Sequence, residues 1–79
     1  MAQVMKVVRE TAVDVPNLGQ RIEQARKADP RSLKALCDAI GMSTMNWYRI
    51  EREQQDLPEE TLRKIEAILG VDFGVKFKD

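Results

Sequence analysis

Apolar residues recur along this chain with two different periods, and the change of period divides it. Over residues 1–15, Val4, Met5, Val7, Val8, Val13 and Val15 are interleaved with Lys6, Arg9, Glu10 and Asp14. This β-branched, mixed pattern predicts extended chain, which Pro16 closes. From 17 to 70 the spacing becomes helical. Leu18, Ile22 and Ala25 fall at i, i+4 and i+7, with Gln20, Glu23, Gln24 and Lys27 opposite, so a first helix begins near Asn17, a good cap residue. It must stop by Ala28, because Asp29 precedes Pro30 and is steered away from helical angles.

A second helix starts within Asp29-Pro30-Arg31-Ser32. Asp29 can cap it with Pro30 as the first helical residue, or Ser32 can cap it; the sequence does not choose. Leu33, Leu36, Cys37 and Ile40 form its apolar stripe, and Gly41 supplies the left-handed residue that ends it. Ser43 caps a third helix, with Met42 placed to staple its start. Trp47 and Ile50 share its inner face, while Thr44, Met45, Tyr48, Arg49 and Arg52 point elsewhere. After a polar loop from Glu53 to Asp56, Leu57-Pro58 leads into a fourth helix. Glu59 and Glu60 suit its positive N-terminus, and Leu62, Ile65, Ile68 and Leu69 line its buried side up to Gly70.

The tail returns to a period of two. Val71, Phe73, Val75 and Phe77 alternate with Asp72, Gly74, Lys76 and Lys78, which predicts a half-buried strand over 71–78. A lone strand leaves its backbone unpaired, so the N-terminal segment is its expected partner, in the same chain or in a second copy. The expectation is a single mainly α domain, 1–79. It has an extended arm at 1–15, a helical core at 17–70, a helix-turn-helix at about 31–52 and terminal strands that pair.

Two short helices joined by a few residues that include a glycine make the helix-turn-helix pattern. Leu33, Leu36, Cys37, Ile40, Gly41, Trp47 and Ile50 fit its spacing. Cys37 is small enough for a close helix approach, and Trp47 and Ile50 anchor the third helix so that its other face meets solvent. Such a face matches the width of the DNA major groove.

Five stretches in order carry a resemblance: Leu18-Gly19-Gln20-Arg21-Ile22, Ser32-Leu33-Lys34-Ala35-Leu36-Cys37, Gly41-Met42-Ser43, Tyr48-Arg49-Ile50-Glu51-Arg52, and Thr61-Leu62 through Leu69-Gly70-Val71. Together they resemble the lambda repressor/Cro (XRE) type of helix-turn-helix domain. The resemblance implies a lambda-repressor-like bundle of about four helices and a dimeric, sequence-specific transcription regulator of double-stranded DNA. It implies base contacts from Thr44, Met45, Tyr48 and Arg49, and phosphate contacts from Arg31, Ser32, Asn46 and Arg52. Arg26 and Glu51 match a pair that in some members ties the first helix to the third. The chain departs from the family pattern at Leu33, where glutamine is common, at Met45, where a small or polar residue is common, and at Glu53, where glycine is common.

Composition narrows the alternatives. With 79 residues, one cysteine and no histidine, the chain has no serine–histidine or thiolate–imidazole pair and no zinc-ligand spacing. No catalytic residue, metal or cofactor is expected, and Cys37 reads as a core residue. No apolar run reaches membrane-spanning length, and Met1 to Glu10 lacks the features of a signal peptide, so a cytoplasmic location without a membrane partner is expected. The net charge is zero, which is unusual for a DNA binder. It is unevenly spread, however. Arg31, Lys34, Arg49 and Arg52 outweigh Asp38 and Glu51 in the middle, whereas acids outnumber bases from Glu53 onward. A local basic face serves a DNA contact even on a neutral protein. A competing reading is a protein-interaction module or antitoxin-like regulator that docks on a protein partner through its strands.

Overall fold

A computed structural model describes residues 4–77. The expectations that reach Met1–Gln3 and Lys78 lie outside these residues. The order of elements is β1 (Val4–Val8), β2 (Ala12–Pro16), α1 (Leu18–Ala28), α2 (Leu33–Ile40), α3 (Thr44–Glu51), β3 (Leu57–Pro58) and α4 (Glu59–Leu69). The four helices stand where the helical spacing puts them.

The extended arm is a hairpin. β1 and β2 run antiparallel in a register that sets Met5 opposite Val15 and Val7 opposite Val13. These four residues face the core, with Met5 and Val7 fully buried. On the outer face Lys6 lies opposite Asp14, an opposite-charge pairing that favours the register. The second neighbour of β1 is β3, which pairs in parallel through Val7 with Leu57 and Val8 with Pro58, giving the sheet order β2-β1-β3. Leu57 is fully buried there. The loop before α4 thus closes the sheet.

Within the chain, the expected pairing of N- and C-terminal strands is not what forms. Residues 71–77 are in no strand and have no place in the sheet, and β3 occupies the edge of β1 away from β2. The alternation survives as burial: Phe73 and Val75 are buried and Phe77 is half-buried. Side chains satisfy the tail backbone instead. The Phe73 N–H donates to Glu66 Oε2 at 2.8 Å. Arg21 Nη2 donates to the Phe73 carbonyl, and Arg63 Nη2 to the Val75 carbonyl, each at 2.9 Å. The Arg21 guanidinium also lies 5.4 Å from the Phe73 ring centre and that of Arg9 4.6 Å from Phe77, within the range of a cation–π attraction.

One core lies beneath the sheet and between the helices. Leu18 and Ile22 of α1, Leu36 and Cys37 of α2, Trp47 and Ile50 of α3, and Leu62 and Ile65 of α4 are all buried in it. Burial pushes the Cys37 thiol pKa up, which disfavours the thiolate. Of the two candidate starts for α2, the structure selects Ser32, whose hydroxyl accepts from the Ala35 N–H. Asp29 instead follows the end of α1 and pairs with Arg31.

Candidate nucleic-acid interface

The α2–α3 turn is built locally. Gly41 ends α2 at φ +69°, a left-handed angle that suits a residue without a Cβ. The Met42 N–H then donates back to the Cys37 carbonyl at 2.9 Å, and the Ser43 hydroxyl caps α3 through the Asn46 N–H. These bonds fix where α3 begins. Trp47 and Ile50, both fully buried, fix its rotation.

The C-terminal end of α3 is held by a charged cluster. Arg26 of α1 makes a two-pronged bond to Glu51, Nε to Oε2 at 2.6 Å and Nη2 to Oε1 at 3.0 Å. The Trp47 indole N–H also donates to Glu51 Oε2, at 2.6 Å. Glu51 is only 6% exposed, so its charge needs these partners. The same carboxylate raises the pKa of Arg26 and keeps it charged. Trp47 therefore does more than fill space, since it helps satisfy the anion that ties α3 to α1.

Next to this cluster lies a contact that the spacing of residues did not reveal. Glu53 has φ +56°, a left-handed conformation that is uncommon for a non-glycine residue. Its Oε1 accepts from the Gly19 N–H at 3.0 Å. Asn17, the N-cap of α1, is itself left-handed and makes no side-chain cap bond. Glu53 thus supplies, from 34 residues away, a cap that the local sequence does not. Gly19 permits the approach, because a Cβ there would lie 2.3 Å from the Glu51 carbonyl oxygen and 2.8 Å from Glu53 Cγ. The signal for Glu53 was its place directly after Glu51-Arg52, where a glycine would turn freely.

The outward face of α3 carries Thr44, Met45, Tyr48 and Arg49, followed by Arg52 at its C-cap, and all five are exposed. Met45 is 62% exposed and Tyr48 42%, high values for large side chains in a domain this small. Arg49 Nη2 lies 3.5 Å from Met45 Sδ, so the two share one surface patch. Tyr48 is flanked by two cations, with the Arg26 and Arg52 guanidinium carbons 5.7 and 5.8 Å from its ring centre. Arg26 consequently touches both the buried anchor Glu51 and the exposed ring of Tyr48.

The four residues assigned to phosphate contacts are placed differently from one another. Arg52 is exposed beside Tyr48. Ser32 caps α2 through its oxygen, which leaves its O–H able to donate. Arg31 is engaged within the fold: its guanidinium pairs with Asp29 at 2.8 Å and also donates to the Ile68 carbonyl. The hydrogen bonds from Arg31 hold the Asp29 carboxyl pKa down at about 2. Asn46 is half-buried and its Oδ1 accepts from Gln55 Nε2 at 2.7 Å, which ties the loop after α3 back to the helix.

Alongside α3, a polar cleft of about 430 Å³ opens between its first turn and α4. Ser43, Asn46, Arg49, Thr61 and Lys64 are among the residues that line it. Nothing in the spacing of α4 relates Thr61 or Lys64 to the start of α3. Among the described residues no group of three His, Cys, Asp or Glu side chains is placed to hold a metal ion, and no helix is long and apolar enough to cross a membrane. Comparison of the chain with protein families, with curated proteins and with solved structures finds no match in any of the three.

Proposed function

We propose that this chain is a sequence-specific DNA-binding regulator of the lambda repressor/Cro type that lays α3 in the major groove. The observation that carries this reading is the division of α3 into two faces. Trp47, Ile50 and Glu51 are committed to the fold. Thr44, Met45, Tyr48, Arg49 and Arg52 stand exposed and supply hydroxyl, thioether, phenol and guanidinium groups. Thr44, Met45, Tyr48 and Arg49 meet base edges, with Arg49 suited to guanine and the Met45 and Thr44 methyl groups to thymine. Arg52 and Ser32 meet phosphates. Two copies reading half-sites one helical turn apart account for specificity from a domain of this size. The tail folds onto its own chain, which disfavours it as the ribbon that joins them. Among the described residues the edge of β2 away from β1 has no neighbour in the sheet, and as the longer of the two edge strands it is the one we assign to a second copy.

Docking on a protein partner through the strands would be favoured by a Phe73 and Phe77 left exposed after dimerisation. Phe73 is buried and Phe77 half-buried against the core, so the single chain does not offer that exposed pair. The test is selection of bound duplexes from a random pool, followed by titration of the selected site at rising salt. A selected consensus with tight binding that weakens linearly on a log–log salt plot is the expected result. A folded protein that binds no duplex at low salt ends the proposal. In the selected site, Arg49→Ala relaxes preference at one base pair, at a cost of about 1–3 kcal/mol. A loss of affinity that is equal for all sequences removes Arg49 from the base contacts.

A further inference from the structure

We infer that the cleft between α3 and α4 is a binding site for a phosphate group, with Lys64 as its principal cation. The inference rests on the groove-docking reading only for the source of the phosphate; the chemistry of the cleft stands by itself. Its walls bring together two cationic side chains, Arg49 and Lys64, two hydroxyls, Ser43 and Thr61, and the amide of Asn46. Their existing bonds leave donors to spare. The Ser43 oxygen accepts from the Asn46 N–H, so its O–H remains to donate. Asn46 uses its carbonyl oxygen toward Gln55, so its N–H₂ remains a donor. Arg49 gives one nitrogen to Met45 Sδ, a weak acceptor.

Among the described residues Lys64 pairs with Glu60, at 3.7 Å, and both side chains are largely exposed. A solvated pair of this kind contributes little and releases its cation readily. The convergence of two cations with hydroxyl and amide donors, and no carboxylate among the lining residues, selects a tetrahedral oxyanion over a cation or an apolar ligand. Arg49 forms the wall shared by the exposed face of α3 and the cleft. A phosphate held here would lie beside the helix that reads the bases, which is where a duplex backbone runs when a helix occupies its major groove. This assigns Thr61 and Lys64 to backbone contact and takes over the role that Arg31, engaged by Asp29 and Ile68, is poorly free to fill.

Two measurements on the full chain test the site. The first follows amide shifts on titration with inorganic phosphate in the absence of DNA. The second measures the salt dependence of binding to the selected duplex for wild type, Lys64→Gln, Lys64→Arg and Glu60→Gln. Lys64 is exposed, so none of these variants is expected to unfold. If the phosphate comes from DNA, Lys64→Gln lowers the log–log salt slope by about 0.9 and weakens every sequence by roughly threefold. Lys64→Arg restores the slope, and Glu60→Gln tightens binding. If the phosphate belongs to a free ligand, inorganic phosphate shifts the Ser43, Thr61 and Lys64 amides saturably, and Lys64→Gln abolishes those shifts.

Either pattern supports the site. An unchanged slope in Lys64→Gln, together with no phosphate-dependent shifts at these three amides, overturns it. Wild type that binds duplex while showing that negative pattern overturns the cleft and leaves groove docking standing. Wild type that binds no duplex but shows the phosphate shifts does the reverse, and failure of both measurements overturns both.

Discussion

The two faces of α3 make opposite use of the same eight residues. On the inner face every group has a partner. Trp47 and Ile50 fill the core, and Glu51 takes hydrogen bonds from Arg26 and from the Trp47 indole. On the outer face Arg49 meets Met45 and Arg52 lies against Tyr48, and Met45 and Tyr48 remain well exposed. The inner face therefore fixes the helix, and the outer face is free to vary without loss of the fold. Arg26 is where the two meet, since its guanidinium serves Glu51 on one side and lies against Tyr48 on the other. An anchor that also positions an exposed ring gives substitutions inside the fold a route to the surface.

The comparison breaks most severely at Glu51. Glu51→Gln leaves the Arg26 charge beside a neutral amide in a mostly buried site. Removing one partner of such a pair costs about 3–5 kcal/mol. A chain of this length has a total stability of roughly 4–12 kcal/mol, so denaturant melts should show the midpoint falling by a large fraction, with the slope unchanged if unfolding stays two-state. A loss under about 1 kcal/mol would show that the pair is replaceable. The Tyr48 ring resonances should shift in the same variant, because Arg26 loses one of the two acceptor oxygens that orient it.

A smaller effect is expected at Glu53, and two substitutions sharpen its meaning. Glu53→Ala keeps the left-handed φ of +56° and loses the carboxylate that receives the Gly19 N–H. Loss of a helix cap costs about 1 kcal/mol, so a drop of that size is expected. Glu53→Gly also loses the cap but relieves left-handed strain of about 1 kcal/mol, so its stability should lie close to wild type. Equal losses in the two variants would mean that strain at this residue is negligible.

These residues also mark what could be read from the chain. The four helices and their stops were legible, because capping residues and apolar spacing act over a few positions. Ser43, Gly41 and Gly70 carry that information alone. The hairpin was legible only as extended chain. The turn between β1 and β2, Arg9-Glu10-Thr11, contains no glycine, proline or asparagine to announce it. β3 is two residues long and has no periodicity to detect. The tail alternates cleanly, yet alternation reports which side chains are buried and is silent on what the backbone bonds to. Here it bonds to Arg63 and Glu66 of the helix just before it and to Arg21 of α1, 52 residues from Phe73. The exposed face of α3 could be assigned once Trp47 and Ile50 were placed inward. The cleft could not, because Thr61 and Lys64 reach α3 only through the tertiary packing of α4.

The smallest effect on stability belongs to the outer face, and it is the measurement that most directly separates the two halves of α3. Met45→Ala and Arg49→Ala remove exposed groups that bond to each other through a weak sulfur contact at 3.5 Å. Surface changes of this kind stay within about 0.5 kcal/mol. Both variants should therefore melt with wild type while their affinity for the selected duplex falls. Melting is the sharper control, since it requires no knowledge of the DNA sequence. A destabilisation of about 2 kcal/mol in either variant would show that the outer face helps hold the fold. Its exposure would then no longer mark it as a surface reserved for a ligand, and groove docking by α3 would lose the contrast between its faces that supports it.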